Sequence, residues 1–249
     1  MKRQERQHLK ENELVQSIGI ARGYLESKRR HLTTIITIVV VVAVAAGGFF
    51  LFRQRANAKA DEALATALVA YNARVVPPSD PDTADLPESA ALSNTGTFTT
   101  EAAKLRAAIP KLQAVVDQYP NDEAGIVARY HLASAYASLG QNDNAVKQFD
   151  EVVKRAKKED LYNRMARLGL ADTQARAGQI DAAIASWKQL ADENNPDIPA
   201  DAVLLELAKA YAAKGNKDDA RKAYTQLLDQ HADSPYATDA KSGLEALKS

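Results

Sequence analysis

The sequence predicts an all-α chain: one N-terminal transmembrane helix followed by an α-solenoid of stacked helix pairs. Three observations carry this reading. An uncharged run, "LTTIITIVVVVAVAAGGFFLF", occupies residues 32–52. Three segments of related pattern, "YASLGQNDNAVKQF", "QARAGQIDAAIASW" and "YAAKGNKDDARKAY", place their glycines, Gly140, Gly178 and Gly215, 38 and 37 residues apart. After each glycine an alanine, an aromatic residue and a Val or Leu recur at i, i+4 and i+7, the spacing of one buried helix face.

The run at 32–52 has 21 residues. At about 1.5 Å per residue it extends about 32 Å, close to the hydrocarbon thickness of a bilayer. Its valines and isoleucines suit a strand, but no strand is this long. Eight Lys or Arg lie within residues 1–31, including Lys28, Arg29 and Arg30, whereas the other flank offers Arg53, Arg55 and Lys59. Positive flanks stay in the cytoplasm, so the expected topology is single-pass in a bacterial inner membrane, N-terminus cytoplasmic, repeats periplasmic. The competing reading is a signal peptide cut at Ala56-Asn57-Ala58, which has the small-x-small form of a cleavage site. Against it stand the long leader, an apolar run beyond the usual length of about 7–15 residues, and two arginines before the cut. Within the leader, Leu14, Ile18, Ala21 and Leu25 share one helical face, suited to lying on anionic lipid or to binding a partner.

Aligning the three segments on their glycines gives each position a physical task. Leu132, Leu170 and Leu207 precede the glycine by eight residues and are followed by Ala133, Ala171 and Ala208. The large residue fills space, and the small one lets helices approach. Asp143, Asp181 and Asp218 follow by three residues, and each is expected to cap the second helix. Further along come Ala145, Ala183 and Ala220, then Phe149, Trp187 and Tyr224, then Val152, Leu190 and Leu227, one buried stripe per copy.

This pattern resembles the tetratricopeptide repeat, a helix-turn-helix unit of about 34 residues. The match covers residues 126–234. It departs from the family in longer repeats, in Gln174 standing where the other copies have Tyr136 and Tyr211, and in the missing closing proline of the first copy. The same ruler reaches "LRAAIPKLQAVVDQYP" at 105–120, a second helix with Ala108, Leu112 and Val115 on its stripe and Pro120 closing it. Its first helix is expected within 60–76, so this unit is split. The intervening residues 77–100, rich in Pro, Ser, Thr and Asp, have too little apolar surface to fold alone and read as a mobile loop. At the far end, residues 234–248 carry a serine cap and then Ala237, Ala240, Leu244 and Leu247 at helical spacing, a terminal capping helix. The predicted layout is a basic leader at 1–31, a span at 32–52, a helical linker and split first repeat at 53–125, and repeats with a capping helix at 126–249.

Composition narrows the function. Thirty-two basic residues balance 32 acidic ones, and removal of the basic leader leaves the rest mildly acidic, so nucleic acid is not an expected partner. No cysteine is present, which excludes disulfides and thiolate metal sites. His8, His31, His131 and His231 are scattered without metal-ligand spacing. The glycine segments "LGQNDNA" and "AKGNKDD" lack a phosphate-loop pattern, and Trp187 lies on the packing stripe. No cofactor, metal or catalytic residue is expected, and the chain does not read as an enzyme. Ala43 and Gly47 have the small-x-x-x-small spacing at which two spans pack, so a homo-oligomer stays open, although such pairs are common in membrane segments.

Stacked helix pairs offer an inner face on which other polypeptides lie. In the repeat's geometry that face takes Tyr130, Ser134 and Ser138 from one first helix, Leu168, Asp172 and Arg176 from the next, and Leu205, Lys209 and Ala213 from the third. Some members of the repeat family clamp a C-terminal carboxylate with paired Asn and Lys. Tyr130 and Ser134 occupy those places here, so the resemblance disfavours that mode. A short basic leader, one span, a helix running on from it and outward repeats are similar to the ancillary Sec-translocon subunit family. That resemblance implies a non-catalytic accessory beside the translocon, handing exported chains to periplasmic chaperones. The alternatives are a static envelope scaffold for outer-membrane or cell-division assemblies and an exported, cleaved repeat protein.

Overall fold

The computed structural model describes residues 29–76, 97–193 and 195–248. The leader face of Leu14 to Leu25, His8, and residues 77–96 of the expected loop lie outside them. Among the described residues there are nine α-helices and one pair of two-residue strands. The chain divides into two units, Met1–Ala56 and Asn57–Ser249.

In the first unit, the described part belongs to α1 (Arg29–Tyr71). From Thr33 onward this helix is apolar enough to cross a bilayer by length and composition, and none of the apolar window is buried by the protein. Ile36, Val40, Val44 and Phe50 are all exposed. One of its polar groups is satisfied within the helix: the Thr37 hydroxyl donates to the Thr33 carbonyl at 2.8 Å.

The second unit begins with the last turns of α1. The first helix expected within 60–76 ends at Tyr71, because the chain then turns into a strand, β1 (Arg74–Val75), which pairs in parallel with β2 (Thr97–Phe98). Then follow α2 (Glu101–Gln118), α3 (Glu123–Ser138), α4 (Asn142–Arg155), α5 (Leu161–Arg176), α6 (Ile180–Asp192), α7 (Ala200–Ala213), α8 (Lys217–Gln230) and α9 (Ala237–Ala246). Thr100 caps α2, its hydroxyl accepting the Ala103 N–H at 3.1 Å. That helix stops at Gln118, ahead of Pro120, and carries Pro110 inside it on an exposed position.

Each hinge glycine ends its helix in the left-handed region, with φ of 70°, 75° and 81° at Gly140, Gly178 and Gly215. The geometry is a Schellman motif in every copy. Gly140 N–H donates to the Ala137 carbonyl at 3.1 Å and Gln141 N–H to the Tyr136 carbonyl at 2.9 Å. The matching bonds at Gly178 and Gly215 lie between 2.8 and 3.0 Å. This tight closure starts the next helix early and corrects the expected capping role of the aspartates. The N-cap residues are Gln141, Gln179 and Asn216, with no side-chain cap bond, and Asp143, Asp181 and Asp218 sit inside the first turn. There a carboxylate complements the positive end of the helix dipole. Asp181 also pairs with Lys214 of the next hinge, and Asp218 with Arg221 at 3.0 Å.

The stripes pack as their spacing requires. Leu132, Ala133, Ala145 and Val152 are fully buried, as are Ala171, Ala183, Ala208, Ala220 and Leu227. One core cluster joins the end of α1 to α2 and α3, a second joins α3, α4 and α5, and a third runs from α5 to α9. Burying a Leu or Val side chain contributes about 1.5–3 kcal/mol, so each joint is held chiefly by these residues. Polar ties supplement them. Buried Arg167 donates to both carboxylate oxygens of Glu193 at 2.5 and 2.8 Å, fastening α5 to the end of α6. That guanidinium, with Lys158 nearby, holds the Glu193 carboxyl below its usual range. The Asn163 amide donates to the Val153 and Ala156 carbonyls, satisfying the end of α4.

Candidate functional site: the first-helix face

The residues expected on the inner face come from α3, α5 and α7, and the structure sorts them into two patches. Leu168, Asp172 and Leu205 come together around one cavity of about 290 Å³, also lined by Trp187, Ala202, Val203, Glu206 and Tyr236. Leu168 is half-buried and Asp172 exposed, while Leu205, at 3% exposure, belongs to the core and is reached only through the cavity. The charges of this patch are paired along their own helices. Arg176 meets Asp172 at 2.6 Å, and Lys209 meets Glu206 at 2.8 Å. The Glu206 hydrogen bond raises the Lys209 ammonium above its ordinary value.

Tyr236 reaches the cavity from the turn before α9. Ser234 holds that turn: its hydroxyl accepts the Tyr236 N–H at 3.0 Å and donates to Asp201 of α7 at 2.7 Å. Burial pushes the Asp201 carboxyl up. The hydrogen bonds from Ser234 and Ala202 more than offset this, and its pKa lies below the ordinary value.

Tyr130 belongs to the second patch. Its ring packs edge-on against Phe149 (5.8 Å), Tyr162 (5.3 Å) and His131 (5.4 Å), and His131 in turn meets Tyr71 at 4.9 Å. Such edge-to-face pairs add about 0.5–1.5 kcal/mol beyond area burial. The His131 Nδ1 is buried without a hydrogen-bond partner, and burial pushes the imidazole pKa down. Burial likewise pushes the Tyr71 and Tyr130 hydroxyls up. Ser134 donates back to the Tyr130 carbonyl at 3.0 Å. Ser138, Arg176 and Ala213 are exposed near the hinges and Lys209 one turn earlier, outside the cavity lining and the aromatic patch.

Sequence reasoning missed the contributions of Trp187, Glu206 and Tyr236 to the cavity and of Tyr71 and Tyr162 to the aromatic patch. A signal for the first exists in the register: nine residues before each hinge glycine stand His131, Gly169 and Glu206, three different solutions at one repeat position. Gln174, where the other copies carry tyrosine, accepts a hydrogen bond from Ser186 at 2.8 Å. Among the described residues no group of three His, Cys, Asp or Glu is placed to hold a metal ion.

A family model described as a tetratricopeptide repeat-like domain matches residues 29–247. A tetratricopeptide repeat protein from Parabacteroides merdae superposes with a TM-score of 0.50 at 18% identity, covering 58% of this chain and 54% of that one. The TPR-like repeats of a putative kinesin light chain from Podosopora anserina give 0.48 at 22% identity, over 58% and 77%. The Yersinia enterocolitica type III secretion chaperone SycD, solved with a peptide of the translocator YopD, gives 0.44 at 24% identity, over 51% and 95%. A search of curated protein sequences finds no match. The first of these likenesses supports the repeat fold, and none speaks to more than fold.

Proposed function

The chain belongs to the tetratricopeptide repeat-like domain family and is a protein-interaction module, and on that premise we propose that it is a membrane-anchored, non-catalytic accessory of the Sec translocon. In this reading it lies in a bacterial inner membrane, N-terminus inside, and its repeats receive exported chains and pass them to periplasmic chaperones. The observation that carries the proposal is the apolar first part of α1, whose large side chains are exposed among the described residues and whose basic excess lies before Leu32. Such a surface is stable only in an apolar surrounding, and the positive flank orients it. The first-helix face then offers half-buried Tyr130 and Leu168 among small and polar side chains, which suits extended polypeptide rather than a terminal carboxylate.

The test is photocrosslinking in intact cells from Ser134, Leu168 and Ala213. Translocon subunits, nascent exported chains and chaperones are the expected adducts. A single fixed envelope partner, unchanged when secretion is blocked, would replace this proposal by a static scaffold. Two companion measurements address the anchor. Protease added to spheroplasts should digest the repeats and spare the leader, and the protein should resist carbonate extraction with its N-terminus near Met1. A mature terminus near Lys59 would make it an exported, cleaved protein instead.

A further inference from the structure

Three joints between a helix pair and the helix that follows it use one aromatic residue each, but they are not closed alike. At the first, the Phe149 ring lies on Gly169 of the next first helix, where a Cβ would come within 2.7 Å of a ring carbon. At the last, the Tyr224 ring lies on Gly243 just as closely. Glycine at these places lets a ring sit flush on the neighbouring backbone. The corresponding partner of Trp187, nineteen residues on, is Glu206. It is at this joint that the cavity of about 290 Å³ opens, with Trp187 and Leu205 as its floor.

We infer that this cavity is an anchor pocket, taking one bulky apolar side chain of an extended polypeptide that carries a basic residue beside it. The inference rests on the proposed function and names the feature of the client that the face selects. Size supports it, because a dry cavity of about 150 Å³ already holds a benzene ring. Lining supports it too: Leu168, Trp187, Leu205 and Tyr236 are apolar walls, whereas Asp172 and Glu206 are the charged residues of the lining and both are acidic. Their counter-ions, Arg176 and Lys209, sit one turn further along the helices and are not part of the wall. Both ion pairs are exposed and therefore weak, so a cation next to the anchor can share the two carboxylates at the rim. Exposed Ser138, Arg176 and Ala213 continue the face on either side as small or polar groups. They suit the backbone of an extended chain and offer too little apolar area for a broad folded partner.

The single tryptophan of the chain is the floor of the pocket, so its emission reports occupancy. The full chain, held in amphipol, is titrated with twelve-residue Gly-Ser peptides whose centre is Leu-Lys, Leu-Glu or Gly-Lys, each with a fluorescein label for anisotropy. The Leu-Lys peptide should shift Trp187 emission saturably and protect it from acrylamide. The Gly-Lys peptide should bind about tenfold or more weakly, because the burial of one leucine is lost. Leu-Glu should bind several-fold more weakly than Leu-Lys, and Glu206→Gln should shrink that preference. Ala202→Phe fills the cavity from its wall and should abolish the Trp187 response with the helical signal retained. Peptide binding by anisotropy with Trp187 silent would overturn the pocket and leave the interaction face standing, as would an unchanged response in folded Ala202→Phe. Absence of all peptide binding, together with failed cellular crosslinks, would overturn both readings. Equal binding of Leu-Lys and Gly-Lys would overturn the anchor.

Discussion

The hinges within helix pairs and the joints between pairs are built by different rules. Gly140, Gly178 and Gly215 share one backbone conformation and the same two hydrogen bonds, although their flanking residues differ. Phe149, Trp187 and Tyr224 share one register, yet Phe149 and Tyr224 lie on Gly169 and Gly243, whereas Trp187 and Glu206, the residue at that register, line a cavity. A hinge closes among six consecutive residues, so any chain with glycine there reaches the same solution. A joint closes between helices, where each partner is chosen independently. Repetition of the backbone thus does not bring repetition of the packing, and the departure is where the cavity lies.

The largest effect that probes this difference is truncation of the aromatic residues. Phe149→Ala and Trp187→Ala should each cost about 3–5 kcal/mol, read as the midpoint of urea unfolding. Trp187→Ala should fall at the lower end, because a cavity already borders the indole. Equal losses would mean that the glycine-free joint packs as well as its neighbours. Next comes the glycine itself. Gly169→Ala puts a methyl against the buried Phe149 ring, and crowding of about 1–3 kcal/mol should outweigh the gain of up to about 1 kcal/mol in helix propensity. Glu206→Ala, at the same register, should stay within about 0.5 kcal/mol.

Hinge substitutions should be smaller and uniform. Gly140, Gly178 and Gly215 have open space around an added Cβ, so replacement by Ala tests only the positive φ. Each should cost about 1–2 kcal/mol, and Asn should recover part of it. Unequal losses across the three would break the claim that the hinge is a purely local device.

The smallest effect concerns His131, whose ring is half-buried. Burial lowers its pKa in the folded protein, so on acidification the unfolded chain takes up the proton first. This contribution to stability is whole above the ordinary histidine value of about 6.5 and declines as pH falls below it. His131→Phe should flatten that part of the stability profile between pH 7 and 5, measured by thermal unfolding. An unchanged slope would show that His131 is not the group that titrates in that window, and Glu193 and Asp201 act only at lower pH. Both have lowered pKa values in the fold, so their contribution is held above the ordinary carboxylate range and lost at lower pH.

Much of the repeat architecture was legible because helical periodicity is a property of consecutive residues. Leu132, Ala145, Phe149, Val152 and their counterparts could be assigned to the core from spacing alone, and all are buried. The aspartates misled, since Asp is a good cap in general, while the Schellman closure here starts each helix before it. The helix expected to run to 76 ends at Tyr71, because residues 74 and 75 find a strand partner at 97 and 98, a pairing that no local pattern announces. On the candidate face, Tyr130 and Leu205 occupy equivalent positions and looked alike. One became part of an aromatic patch and the other a cavity floor, according to what the neighbouring pair supplied.

By itself, then, the amino-acid order determined where helices lie, which face each one buries, where glycine must turn the chain, and that α1 carries an apolar length fit for a bilayer. These follow from steric limits on φ and from burial of apolar side chains at 3.6-residue spacing, both of which act within a few turns. The tertiary structure alone decided that Trp187, Glu206 and Tyr236 share a cavity and that His131 stands among three tyrosines. Those residues come from separate helices and turns, and whether they enclose space or fill it depends on the fit of side chains across a joint.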